Sequence, residues 1–159
     1  MDIGERHAKK EIPKEESHMV TNKDCIVFLL AKGNQKAQHN LKKRLKPYGL
    51  TTVQGLILGT LFEEDGLTSG EIGKRLVLDN ATVSGVLDRL SEAGWIEKKT
   101  DEDDRRIQRI YLSQDKNREA DMEFVIKLYQ ARQEANEETL RNLTTEERIL
   151  LKRLLKDLV

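Results

Sequence analysis

Residues 68 to 112 leave few folds open. Thr68-Ser69-Gly70-Glu71 has the spacing of a capping box, in which a threonine oxygen and a glutamate three residues on satisfy each other's orphan amides. The short helix it opens carries Ile72 and Leu76 on one face. A four-residue gap, Val77 to Asn80, leads to a second helix, whose Val83, Val86, Leu87 and Leu90 fall at i, i+3, i+4 and i+7. Gly94 ends it. Trp95 to Lys99 and Arg109 to Leu112 then alternate as two short strands, separated by the polar stretch Thr100 to Arg106.

The flanks read as helices. Ile26, Leu29, Leu30 and Gly33 start an apolar face that Ala37, Leu41 and Leu45 extend, which predicts one helix from about Asn22 to Lys46, stopped by Pro47. Thr51 or Thr52 caps a second, with Val53, Leu56, Ile57 and Leu61, which Asp65-Gly66 stops. Ser113 is expected to cap a long helix through Phe124, Leu128, Ala131 and Ala135. Thr144, with Glu147 three residues on, caps a last one through Leu151, Leu154, Leu155 and Leu158. Residues 1–20 are polar and read as an N-terminal arm. The class expected is mainly α with a small β wing.

Lys and Arg number 28, and so do Asp and Glu, a balance that taken whole argues against a polyanion partner. The distribution argues otherwise. From Cys25 to Phe62 there is no acid, while Lys32, Lys36, Lys42, Lys43, Arg44 and Lys46 give +6. No apolar run approaches a membrane span and no leader-like segment opens the chain. One cysteine, Cys25, fits a reducing compartment, so a cytoplasmic protein with no membrane partner is expected.

Two short helices joined by a tight turn and followed by a hairpin describe a winged helix–turn–helix. With the apolar stripe of its second helix turned inward, Asn80, Thr82, Ser84, Gly85, Asp88 and Arg89 lie on or near the outside. Small hydrogen-bonding side chains near a helix N-terminus suit a DNA major groove. The competing reading is a winged helix used only for packing against another protein, without DNA binding.

Residues 67–113 closely resemble the MarR family of bacterial transcription regulators. The specific pieces are Thr82-Val83-Ser84 with Leu87-Asp88-Arg89-Leu90, and Asp104-Arg105-Arg106 in the wing; the resemblance extends over residues 22–159. It implies one domain with a DNA-binding region at 51–112 and a helical dimerisation region at 21–50 and 113–159. The implied assembly is a homodimer whose recognition helices enter successive major grooves of a near-palindromic operator, with half-sites about 10 bp apart. Ser69, Asn80, Thr82, Ser84, Gly85 and Arg89 are then DNA-contacting positions. One of Arg105 and Arg106 enters the minor groove while Asp104 holds the other in a bidentate pair. Gly85 replaces a larger polar or basic residue found in many members, and the wing tip Asp101 to Asp104 is four acids in a row.

The resemblance further implies a repressor released by a small organic effector, aromatic or anionic, with His39, Lys43, Tyr48, Trp95, Phe124 and Leu128 as candidate walls. A redox-sensing regulator is the alternative, because Phe28-Leu29-Leu30-Ala31 matches part of a run found in hydroperoxide-sensing members. Aligned on that run, however, Cys25 falls two residues early, and Ala31 and Leu41 occupy the tyrosine positions. His7, His18 and His39 form no cluster at metal-ligand spacing, and no catalytic motif is present. No metal, cofactor or enzymatic activity is expected.

Overall fold

The structure is a computed structural model and describes residues 23–113 and 118–158. The polar arm expected at residues 1–20 lies outside them. In order the elements are α1 (Ile26–Leu45), a 3-10 turn (Lys46–Tyr48), α2 (Thr52–Glu63), β1 (Leu67–Thr68), α3 (Ser69–Leu76), α4 (Asn80–Glu92), β2 (Ile96–Thr100), β3 (Gln108–Leu112), α5 (Arg118–Thr139) and α6 (Thr145–Leu158). The mainly α class and the winged helix–turn–helix are both present. Contacts divide the described chain into two units, with the boundary between Asn34 and Gln35.

The caps follow the expected chemistry. Thr51 and Gln54 form a capping box at α2, and Thr68 and Glu71 form one at α3. At α6 the Thr144 amide donates to Glu147 at 2.8 Å and the Glu147 amide donates back to the Thr144 hydroxyl at 3.3 Å. Each closes two of the donors that a helix start leaves open. The Ser113 amide donates to the Trp95 carbonyl at 3.0 Å, extending the β2–β3 pairing; α5 is described from Arg118 on, and the helix start expected after Ser113 lies outside the described residues. The first helix starts at Ile26 rather than near Asn22, because residues 23 and 24 form a turn.

Sequence reading gave two strands and the sheet has three, in the order β1-β3-β2 and antiparallel throughout. Two-residue β1 is too short for an alternation pattern to reveal, and it pairs Leu67 with Ile110 and Thr68 with Arg109. The hairpin register runs from Ile96↔Leu112 at its base to Thr100↔Gln108 at its tip. Leu45, Ile57, Leu61, Ile72, Val83, Leu87, Leu90 and Ile110 are almost wholly buried and form one core that joins α2, α3, α4 and the sheet. Each such side chain contributes about 1.5–3 kcal/mol by leaving water. From α5, Leu128 and Ala131 join that core, and Ala135 is buried one turn on.

Two apolar rows are not buried. At the start of α1, Ile26, Val27, Phe28, Leu29 and Leu30 are exposed, and on α6 so are Ile149, Leu150, Leu154, Leu155 and Leu158. Among the described residues no helix is long and apolar enough to cross a membrane.

The turn between α3 and α4 carries the one non-glycine residue at positive φ among the described residues, Val77 at φ 53° and ψ 50°. The left-handed region crowds a β-branched side chain against its own backbone. The conformation persists because it lets the Val77 and Leu78 amides both reach the Gly73 carbonyl and close α3. The Val77 side chain is 92% exposed and gives no packing in return. Val77→Gly is therefore expected to stabilise the protein by roughly 0.5–1 kcal/mol, the relief of left-handed strain less the entropy of an added glycine. Thermal unfolding by circular dichroism checks it: the Gly variant melts a few degrees higher, and Val77→Ala, which keeps its Cβ, gains less. A lower midpoint for Val77→Gly shows that the turn is not strained.

Candidate functional site

The helix–turn–helix is set by its caps. Asp79 rather than Asn80 caps α4, so the expected four-residue gap is shorter by one and Asn80 is the first helical residue. One Asp79 oxygen accepts the Thr82 amide at 2.8 Å and the other accepts the Thr82 hydroxyl at 2.6 Å. Those two bonds, the hydroxyl first, hold the Asp79 carboxyl below its usual range. Because Thr82 gives its proton to Asp79, its oxygen is left to the outside as an acceptor. With Val83, Val86, Leu87 and Leu90 buried, Asn80, Thr82, Ser84 and Arg89 are exposed, as is Ser69 at the start of α3. Gly85 is half-buried, and a methyl group there meets nothing within 4 Å. Asp88 is turned to a structural task, since the Lys98 ammonium of β2 donates to it at 2.5 Å and ties α4 to the hairpin.

In the wing the expected Asp104–arginine ion pair is not formed. Asp104 instead accepts the Arg106 amide at 2.9 Å, and its carbonyl accepts the Ile107 amide at 2.9 Å, which tightens the turn. The acid that holds a guanidinium is Asp101, which accepts from Arg109 Nε with one oxygen. Its other oxygen accepts the amides of Asp103 and Asp104, each at 3.0 Å. Arg109, first among these partners, keeps the Asp101 carboxyl below its usual range. The same guanidinium donates to the Gly66 carbonyl at 3.0 Å, anchoring the wing tip to the chain before β1. The run of four acids is thus half absorbed into the turn. Arg105 and Arg106 stay exposed, and among the described residues neither they nor Arg89 form a side-chain ion pair or hydrogen bond.

A cavity of about 340 Å³ opens beside this motif, with walls from α2, the start of β2, the end of β3 and α5. Trp95, Phe124 and Leu128, expected from the sequence, meet there. The Trp95 and Phe124 rings stack at 4.3 Å with an interplanar angle of 28°. Tyr48 touches the Phe124 ring edge-on at 5.8 Å but lines a separate cleft of about 230 Å³ with Lys43 and Lys127. His39 lies exposed on α1 and lines neither. Missed from the sequence were Leu58, Phe62, Tyr129 and Arg132 on the walls, and Asp79, Asp101 and Arg109 in the frame. Asp79 was legible, being an aspartate three residues before Thr82; Arg132 carried no signal beyond lying one turn after Leu128.

Residues 50–108 match the model of the MarR family. The chain is 42% identical over 74 residues to the HTH-type transcriptional regulator TtmR of Methylorubrum extorquens (strain PA1), a match covering 46% of this chain and 37% of that protein. It is 32% identical over 90 residues to the organic hydroperoxide resistance transcriptional regulator of Bacillus subtilis (strain 168), covering 57% of this chain and 61% of that one. The chain thus spans less than two thirds of either curated relative. Among solved structures, a probable transcriptional regulator from Pseudomonas aeruginosa superposes with a TM-score of 0.76 at 29% identity, over 87% of this chain and all of that one. A mutant MarR from E. coli complexed with operator DNA superposes with a TM-score of 0.75 at 26% identity, over 87% and 96%.

The wing frame has a pH signature. A carboxylate whose folded pKa is lowered adds stability that is present above its unfolded value, here 3.8 for Asp101, and lost as pH falls through the folded value. The protection of the Asp103 and Asp104 amides against hydrogen exchange, relative to the unfolded chain at the same pH, is therefore expected to hold from neutral pH down to about 4 and to fall below it. Asp101→Asn should quicken both amides several-fold already at neutral pH. Equal exchange in the variant and the wild type shows that Asp101 does not organise the wing.

Proposed function

We propose, from the MarR-family winged helix–turn–helix that this chain carries in residues 50–108, that it is a dimeric DNA-binding transcription regulator, a repressor that a small organic ligand releases from its operator. The observation that carries the reading is the outer face of α4. A helix clamped by four buried apolar side chains presents small polar groups and an arginine outward, beside a wing with two more arginines that the described residues leave unpaired. Packing alone requires neither feature.

In this reading residues 51–112 bind DNA, with Asn80, Thr82, Ser84 and Arg89 facing the major groove and the Gly85 gap leaving room for a base edge. Ser69, at the start of α3, faces a phosphate where helical amides converge. Arg105 or Arg106 reaches the minor groove from the wing. The operator-bound MarR neighbour supports this placement by its fold. Residues 21–50 and 113–159 form the dimerisation region, supported by the exposed apolar rows on α1 and α6, which are larger than a lone soluble chain usually shows water. The twofold of such a dimer matches a near-palindromic site. The cavity of Trp95, Phe124 and Leu128 is the ligand site, suited by its stacked rings to a flat apolar body. A ligand preferring the geometry that does not fit DNA lowers operator affinity by its differential binding, typically about 1–3 kcal/mol. The cysteine-based reading gains only a relative's name, since Ala31 and Leu41 stand where the thiolate's tyrosine partners belong.

The test is titration of the chain's own promoter region at rising salt. Log affinity should fall linearly with log salt, with a slope near −0.9 for each phosphate contacted. Arg105→Ala and Arg106→Ala should each bind no better than wild type, and at least one should weaken binding strongly while reducing the slope by about 1. Ultracentrifugation should give twice the 18.3 kDa of one chain. A flat salt response, or operator affinity unchanged in both variants, favours a protein-interaction winged helix instead.

A further inference from the structure

The cavity beside α4 is walled by Leu58, Leu61, Phe62, Trp95, Phe124 and Leu128, yet a cation is set into it. Arg132 lies one turn beyond Leu128 on α5, between Ala131 and Ala135 on the buried side of that helix. An inward guanidinium needs room on the facing helix, and α2 supplies it with Gly59. A methyl group on Gly59 would overlap Arg132 Nη1. The glycine is not needed for a turn, since it sits mid-helix where alanine is favoured by about 1 kcal/mol. What it does there is admit the guanidinium.

The guanidinium is also poorly satisfied. Among the described residues its one ion pair is to Glu63 at 3.6 Å, and Glu63 is itself 68% exposed. No hydrogen bond from its five N–H groups to a described residue is present at normal distance. Arg132 is one-third exposed, so its charge is partly withdrawn from water without a close partner. The one acid on the cavity wall, Asp65, is already engaged: its Oδ1 accepts the Leu112 amide at 2.9 Å. A planar fork of donors facing a flat apolar cavity fits a planar anion, and only arginine among the cations offers two parallel bonds to a carboxylate.

We propose that Arg132, admitted by Gly59, is the residue that sets this cavity's preference for a carboxylate over a neutral ligand of the same shape. The ring of an aromatic monocarboxylate lies in the apolar slot and its carboxylate takes the two donors that Glu63 leaves free. The assignment rests on the cavity being the ligand site, and the experiment separates the two statements.

The probes are 2-naphthoate and 2-naphthamide, equal in shape and different in charge, titrated by calorimetry into the full-length protein. Wild type should bind naphthoate roughly 10- to 100-fold more tightly than naphthamide, the range for hydrogen bonds to a charged group. Arg132→Met keeps the stem and loses the fork, and should bind the two probes alike with naphthamide affinity unchanged. Gly59→Ala, which pushes the guanidinium off α2, should shrink the preference in the same direction, and Arg132→Lys should restore it in part. Unfolding midpoints for each variant show that the fold persists. Equal binding of both probes by wild type, or a preference that survives Arg132→Met, overturns the role of Arg132 and leaves the ligand site standing. Binding of neither probe by wild type overturns the cavity as the ligand site, and this role with it.

Discussion

The structure depends on one seam, the burial of Val83, Val86, Leu87 and Leu90 on α4 against the core that Ile72 and Ile110 complete. At 3.6 residues per turn, committing those four positions inward leaves no freedom over which residues face out. The polar face of α4 is thus a consequence of packing before it is a feature of recognition. The turn before it carries the cost, with Val77 in the left-handed region so that α3 closes and α4 starts at the required angle. Asp79 then fixes the first turn of α4 by taking both protons of Thr82.

Charge is divided by the same geometry. Lys98 is tied to Asp88, Lys99 to Glu97, Arg75 to Glu64 and Arg109 to Asp101, so these bases hold the hairpin and helices in place. Exposed pairs of this kind contribute little stability individually. Their effect is to orient, and it is largest at Arg109, where one guanidinium joins the wing tip to the Gly66 carbonyl. Arg89, Arg105 and Arg106 on α4 and the wing, and Lys74 on α3, form no ion pair with a described residue and are available to a polyanion. A zero net charge hid this division, because it sums the paired and unpaired bases of this surface with acids that mostly lie elsewhere in the chain, 16 of the 28 falling outside residues 51–112.

What the sequence disclosed was local. Capping boxes at Thr68 and Thr144 and the i, i+3, i+4, i+7 rows are written within one or two turns of chain, and the helices appeared where those rows placed them. What it hid was contact between positions far apart. Asp101 meets Arg109 only because the hairpin register brings position 101 opposite 107, one diagonal step from 109, whereas the sequence suggested the neighbouring pair of Asp104 with Arg105 or Arg106. Two-residue β1 has no periodicity of its own. Gly59 looked like an ordinary small residue in an apolar helix, and its meaning appears only with Arg132 lying against it from 73 positions along the chain. The apolar rows of α1 and α6 were legible as rows, and the structure leaves both exposed.

Under the proposed function, the place of the cavity gives a bound molecule a route to the DNA-facing surface without touching it. Trp95 follows α4 after Ala93 and Gly94 and leads directly into β2, so a cavity wall, α4 and the wing share a continuous backbone. Its carbonyl also accepts the Ser113 amide, which fixes the base of the hairpin at the same point. Phe124, stacked on Trp95, belongs to α5. In the proposed function, a ligand that changed the spacing of those two rings would act on the junction between α5 and the winged region. Packed interiors do not deform continuously, so such a change shifts the protein between discrete arrangements. In that reading a ligand would act only as far as it binds one arrangement better than the other.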